Sequence, residues 1–413
     1  MRSNIVLAAF AALAIAAPRP QEIEFDLVDS AADPIIFTPQ TDVPFENIAA
    51  ISAEFIAQVA AVSVTEVAQA IPKRGLQRRD GDCSPEAAGT GPRVSSPDDT
   101  PEAFLAYELF KTNAINAATK ANVPQGYSLA FSNLEASSRT SSYLGFKTLS
   151  KYDPIECASV CDQHPDCIAF NLYYERDPSI KPNAVDCPNP TSVTNVKCVR
   201  WGVPITKFTA KNNGEHRNSF KIVISGSNGY NKDAPPGTQS GFKGPVKLGG
   251  AINAPNDPVT DTNTYMGYKF FSFDQVGTFA GGVAACTAAC TAQTGYNSRH
   301  PPKAPAKPSV CNQAIVYLLS QNNQPQGIYC AMYSEEWAQK YATNYGQYRG
   351  SEFWSVSSGK RKESPPSLTM FRDFLEMFLS KDISGQVIAN YLGAQHMHIQ
   401  MNHSRLPTAL SVL

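Results

Sequence analysis

Ile155-Glu156-Cys157-Ala158-Ser159-Val160-Cys161, then Asp162-Gln163-His164-Pro165-Asp166, then Cys167-Ile168-Ala169-Phe170-Asn171-Leu172-Tyr173 is the stretch that decides the fold of this 413-residue chain. Two cysteines four apart lie one helical turn above each other on a single face. Pro165 and the flanking aspartates mark a turn. Residues 167–173 alternate in the manner of a half-buried strand. The cysteine face of the helix must therefore meet a sheet, and a second strand-like stretch, Lys197-Cys198-Val199-Arg200-Trp201, brings a further cysteine.

Working outward, the signals recur in the same order. Tyr143-Leu144-Gly145-Phe146-Lys147 precedes Cys157-x3-Cys161, and Tyr265-Met266-Gly267-Tyr268-Lys269 precedes Cys286-x3-Cys290. Val196 to Trp201 corresponds to Ile328 to Tyr333. Lys207-Phe208 through Gly214, Arg217, Ser219 and Phe220 correspond to Lys340-Tyr341 through Gly346, Arg349, Ser351 and Phe353. Matches at four separated places imply a duplication.

A helix with C-x3-C, a turn, a cysteine followed by Ile-Ala-Phe and a further cysteine on a short strand resembles the PAN/apple module, found in plasminogen-like, plasma kallikrein-like and many fungal secreted proteins. The resemblance implies an α+β fold of two tandem modules, each a curled antiparallel sheet with one packed helix and two bridges between them. Carried onto these positions, it implies Cys157–Cys198 and Cys161–Cys167 in the first copy, Cys286–Cys330 and Cys290–Cys311 in the second, with Cys83–Cys187 remaining. The residues themselves leave Cys187 and Cys198 both open as partners of the first helix. The second copy departs from the pattern: Cys311-Asn312-Gln313-Ala314-Ile315 stands where the first has Cys167-Ile168-Ala169-Phe170. The whole chain resembles apple-domain proteins of ascomycete fungi, for which the likeness implies no activity. Closing the span from Cys157 to Cys198 is worth about 4 kcal/mol in the chain-entropy picture.

The ends read differently from the middle. Met1-Arg2-Ser3-Asn4, an apolar run from Ile5 to Ala17 and small residues at Ala14, Ala16 and Ala17 predict a secretory signal over 1–17. With export, ten cysteines meet an oxidising compartment. Residues 18–79 hold no cysteine and end in Lys73-Arg74 and Arg78-Arg79, paired bases that predict a propeptide removed by a dibasic-specific protease. Within it, Phe45 to Ile71 predicts an amphipathic helix. Residues 80–125 are expected to form a helical and linking segment, with one helix over Pro101–Lys120 lined by Phe104, Leu105, Tyr107, Leu109, Phe110 and Ile115, and Thr100 as its cap. Module 1 is expected over 126–232, a linker over 233–245 and module 2 over 246–360. Arg299 to Pro308 is expected to be an exposed loop. The tail, 361–413, admits two readings: an added helix over Leu368–Leu379, or appended non-coding sequence.

Little points to catalysis. Neither a G-x-S-x-G elbow, an H-E-x-x-H pair nor a P-loop occurs. With every cysteine bridged, no thiol remains to act. His164 and His216 are expected to be solvated, and His396-x-His398 lacks a third metal ligand nearby. Asp153/Glu156 and Glu335/Glu336 are the carboxylate pairs a hydrolase would need, but Glu156 reads as a first-turn helix acid. Gly226-Ser227-Asn228-Gly229 reads as a turn. Lys+Arg 35 against Asp+Glu 36 offers no basic field for nucleic acid. The apolar run from Ile5 to Ala17 is too short to span a membrane, and no longer apolar run follows.

Aromatic side chains, Tyr143, Phe146, Tyr173, Tyr174, Trp201 and Phe208 with Tyr265, Tyr268, Tyr317, Tyr329, Tyr333, Trp337 and Tyr341, are the better clue, because flat rings stack on sugars or anchor protein interfaces. Tyr174, Arg200 and Trp201 flank the expected strands and are the candidate ligand residues. The expected function is a secreted, non-catalytic binding protein of the cell wall or extracellular surface that takes carbohydrate or protein, with no cofactor and no metal. Two linked weak sites would add avidity on a repetitive surface. A hydrolase with its site between the modules, and a structural wall component, are the alternatives.

Overall fold

Asp153 starts the cysteine-bearing helix: its carboxylate accepts from the N–H of Ile155 (2.9 Å) and Glu156 (3.2 Å), and Pro154 takes the first helical position, where no N–H is needed. The structure, a computed structural model, describes residues 23–38, 82–94, 98–233, 237–243, 245–257, 259–357, 379–381 and 387–389. The signal stretch, Lys73, Arg74, Arg78, Arg79, the helix expected over Phe45–Ile71 and His396-x-His398 lie outside them. So does the expected tail helix, except for Leu379, which begins a strand.

The first part of the chain forms helices α1 (Asp26–Ser30), α2 (Pro101–Ala106) and α3 (Glu108–Ala117), strands β1 (Tyr127–Leu134), β2 (Ser137–Ser138) and β3 (Tyr143–Leu149), then the cysteine helix α4 (Pro154–Asp162). Strands β4 (Ala169–Pro178), β5 (Ser192–Trp201), β6 (Ala210–Asn212), β7 (His216–Arg217), β8 (Phe220–Lys221) and β9 (Val223–Lys232) follow. The second part has β10 (Tyr265–Ser272), α5 (Phe273–Val276), α6 (Phe279–Arg299), β11 (Gln313–Gln321), β12 (Gln324–Tyr333), β13 (Gly346–Arg349) and β14 (Glu352–Ser357). In the tail, β15 (Leu379–Lys381) pairs antiparallel with β16 (Val387–Ala389). The molecule is thus α+β, with antiparallel sheets and five disulfides.

Two five-stranded sheets run in the orders β1-β9-β4-β5-β3 and β10-β12-β11-β14-β13. Four strands match, β3-β5-β4-β9 against β10-β12-β11-β14, each with its cysteine helix between the first two of these in sequence. The register matches too. Lys147 lies opposite Cys198 and Lys269 opposite Cys330, and both first strands bulge at the glycine of the Tyr-x-Gly motif. After each β5-like strand, an Asn side chain accepts from the N–H of a Gly two residues on: Asn212 from Gly214 (3.1 Å) and Asn344 from Gly346 (3.0 Å). Both glycines sit at positive φ, where a Cβ would come 2.0 Å from Ile222 O and 2.1 Å from Trp354 O. Only glycine fits either turn.

The strand period puts Val196 and Cys198 on the face that meets α4, so Cys198 bridges Cys157 with Cα atoms 5.6 Å apart, and Cys330 bridges Cys286 at 5.5 Å. Cys161–Cys167 and Cys290–Cys311 close the helix ends. Cys187 lies in a loop and bridges Cys83. All five pairs are those the resemblance implies.

Three expectations need correction. The strand after Cys167 is not half-buried: eight consecutive residues from Ala169 to Arg176 are buried, because segments distant in sequence cover the second face. Within residues 80–125, Phe104 and Phe110, 1% and 0% exposed, belong to the core of the first sheet. Their helix is broken at Tyr107, whose extended backbone (ψ 106°) separates α2 from α3. That break turns Phe110, Ala114 and Ala117 inward and leaves Leu109 and Ile115 exposed. Thr100 caps α2 as expected, accepting from Ala103 N–H (3.1 Å). Finally, Gly226-Ser227-Asn228-Gly229 is no turn but the middle of β9, where a Cβ on Gly226 would lie 2.7 Å from Phe110 O and on Gly229 would overlap the Phe131 ring. These glycines let α3 and a neighbouring ring approach the strand closely.

The sheets pack together. Thr278 Oγ1 caps α6, Phe279 N–H donates to Gly202 O (2.9 Å), Ser142 Oγ donates to Gly277 O, and Val203 sits in the second core. The loop from His300 to Asn312 is irregular and largely exposed, as its prolines require.

Candidate functional site

Of the three candidate ligand residues, two are packing groups. Tyr174 is 1% exposed, stacked between Phe110 (4.0 Å) and Tyr152 (4.9 Å), with its hydroxyl accepting from Asn113 Nδ2 (2.7 Å). Trp201 is fully buried on the opposite face of the sheet, edge-on to Tyr143. Adjacent strand positions point to opposite faces, so Arg200 leaves Trp201 behind and is half-buried at the surface. The structure does not bring the three together. Half-buried His164 lies nearby, its pKa lowered by burial and by Arg200, and His216 is exposed. Asp153 is engaged in capping and in a 2.8 Å bridge to Lys151, and Glu335 and Glu336 are exposed.

The second face of the first sheet carries a buried charge cluster that sequence reading missed. Lys197, opposite Tyr173 in the register, contacts Glu175 and lies 3.5 Å from Asp177, and its ammonium stands 4.9 Å over the Phe146 ring. One ammonium thus faces two carboxylates. Complete burial and the neighbouring Asp177 push the Glu175 carboxyl up to about 8, while the two carboxylates hold Lys197 in its charged form.

In the second sheet Tyr329 stands at the position of Lys197, Leu319 at that of Glu175, and Tyr317 and Tyr268 at those of Tyr173 and Phe146. Tyr317, Tyr329 and Tyr268 stack across three strands, 4.9 Å between successive centroids and 9–14° from parallel. Tyr265, Tyr333 and Trp354 extend the face. This surface is covered by residues 23–29, Ile-Glu-Phe-Asp-Leu-Val-Asp, which are held the way a receptor holds a peptide. Tyr329 OH accepts from Glu24 N–H (3.1 Å), and Tyr268 OH from Leu27 N–H (3.4 Å). The Gln347 amide meets Ile23 twice, its Oε1 accepting from the N–H (2.8 Å) and its Nε2 donating to the carbonyl (3.4 Å). Arg349 forks onto Asp29 with bonds of 2.7 and 2.9 Å and lies 4.2 Å over the Phe25 ring, itself edge-on to Trp354. Ile23 and Val28 are buried. Burial pushes the Tyr329 hydroxyl up to about 12, so it stays a neutral acceptor across the physiological range. The same segment continues to the first sheet, where Phe37 N–H donates to Thr140 O (3.0 Å) and its ring stacks on Tyr143.

The tyrosines were visible as an aromatic excess in the sequence and Arg349 as the repeat counterpart of Arg217, but Gln347 and residues 23–29 carried no signal of their own. Elsewhere, a wide, open depression of about 460 Å³ beside Leu134, Lys207 and Phe208 lies at the edge of the first sheet. Among the described residues there is no cluster of His, Cys, Asp and Glu able to hold a metal, and no helix long and apolar enough to cross a membrane. No protein-family model, curated protein or solved structure matches the chain.

Proposed function

We propose that the chain is a secreted, non-catalytic binding protein built from two PAN/apple-like modules, and that it recognises carbohydrate or protein at the cell wall or extracellular surface. The observation that carries this reading is the tyrosine face of the second sheet: three stacked rings, two of whose hydroxyls accept from backbone N–H groups, beside an amide and a guanidinium. Such a surface pairs apolar area with directional polar groups at little rotamer cost, which is what a recognition site needs. Five bridges and an N-terminal signal-like stretch fit an oxidising, extracellular setting. Of the carboxylates considered for hydrolysis, Asp153 caps a helix, Glu156 lies 3.7 Å from the Lys147 ammonium, and Glu335 and Glu336 lie on the surface.

Glycan and secreted-protein arrays probed with protein purified from culture medium test the proposal. Retention of a polysaccharide or a protein without turnover supports it. Product release that a single carboxylate substitution abolishes would replace it with the hydrolase reading. Absence of both retention and turnover would favour a structural wall component.

A further inference from the structure

Resting on the binding-protein reading, we propose that the tyrosine face is a peptide-binding site, that residues 23–29 are its tethered occupant, and that cleavage at the dibasic pairs opens it to acidic, aromatic-containing peptides. The contacts themselves define the ligand class. Tyr329, Tyr268 and Gln347 meet backbone groups and so read chain path, whereas two side-chain demands are specific. A carboxylate must reach Arg349, and an aromatic ring four residues earlier must fit between Arg349 and Trp354, as Asp29 and Phe25 do. Ile23 and Val28 add buried apolar anchors at either end. Lys197 over Phe146 occupies the matching place on the first sheet, so the peptide site belongs to the second sheet.

What makes the occupant removable is its covalent connection. Residues 18–79 contain no cysteine, whereas Cys83 is bridged into the first half. Every sulfur staple therefore lies on the far side of Lys73-Arg74 and Arg78-Arg79 from the bound segment. While the chain is intact, residues 23–29 compete for the face from within the same molecule, which a free ligand overcomes only at high concentration. After a cut at residue 79, noncovalent contacts alone hold them, and the competition becomes an ordinary bimolecular one.

The test uses the full-length protein, folded and then cut or left uncut with a dibasic-specific protease. The probe is a fluorescein-labelled synthetic peptide spanning residues 21–38, followed by anisotropy. The cut protein, diluted and separated from its released fragment, is expected to bind the probe at least 100-fold more tightly than the uncut protein. Probe peptides with Asp29→Asn or Phe25→Ala are expected to bind at least tenfold more weakly, as is the wild-type probe to cut Arg349→Gln or Gln347→Ala protein. Equal affinity of cut and uncut protein overturns the proposal, and so does a fragment that stays bound at every dilution without exchanging with the probe. If the cut protein ignores the probe yet still captures array glycans, the peptide site fails while the binding-protein reading survives; if it captures neither, both fail.

Discussion

Arg349 and Asp29, 320 residues apart, form a forked ion pair that ties the first described helix to the last hairpin of the second sheet. Both side chains are substantially exposed, so the pair is open to salt and to titration. The Arg349 hydrogen bonds hold the Asp29 carboxyl below its ordinary range. A carboxyl lowered on folding favours the bound segment above the ordinary carboxylate pKa, and that contribution is lost as pH falls through the lowered value. Amide exchange at Glu24 and Leu27, taken relative to the intrinsic rate at each pH, is expected to speed up below about pH 4 and, near neutrality, with added salt. In Arg349→Gln it is expected to be fast throughout and insensitive to salt. Salt-independent exchange in both proteins would show that the pair does not secure the segment.

The bridges differ in expected worth. Removing Cys157–Cys198 by double Ala substitution frees a loop of about 40 residues and is expected to cost about 4 kcal/mol, whereas removing Cys161–Cys167 is expected to cost about 2 kcal/mol. Urea unfolding of the two variants measures the gap. Equal losses would mean that the bridges act through native contacts and not through the unfolded chain.

Glu175 gives stability a pH dependence of the opposite sign to Asp29. Its carboxyl titrates near 8 in the folded protein, above its ordinary value, so the folded state holds a proton that the unfolded state has released. Stability is therefore expected to decline as pH rises from about 4.5 to 8, and Glu175→Gln is expected to flatten that decline. Lys197→Met leaves the buried Glu175 and the partly buried Asp177 without their cation and is expected to cost about 3 kcal/mol. Thermal melts between pH 4 and 9 on the three proteins decide the matter.

Gly214→Ala and Gly346→Ala each place a methyl about 2 Å from a carbonyl oxygen at positive φ. Each is expected to cost about 3 kcal/mol or more, against about 1–2 kcal/mol for Gly126→Ala, which has positive φ but open space around it. Matched losses at 214 and 346 would show that the two turns do the same work in the two sheets.

Trp201→Ala is expected to destabilise by about 3–5 kcal/mol and to leave ligand binding by the second sheet unchanged. A loss of binding without loss of stability would instead return Trp201 to the role its place in the sequence suggested.

Local chemistry made much of this legible beforehand. Two cysteines four apart declare one helical face, prolines in 300–308 forbid regular structure, Thr100-Pro101 announces a helix start, and the spaced Tyr-x-Gly and cysteine signals expose the repeat, because each depends only on neighbouring residues or on fixed backbone periods. Which face of a strand is covered depends on segments far away in sequence. That is why Tyr174 and Trp201 read as ligand residues until α3 and Tyr143 were found against them, why the glycines of β9 read as a turn, and why the buried Glu175–Lys197 pair and the seating of residues 23–29 on Tyr268 and Tyr329 had no forerunner in the sequence. Periodicity specifies a surface; only the tertiary structure decides what lies on it.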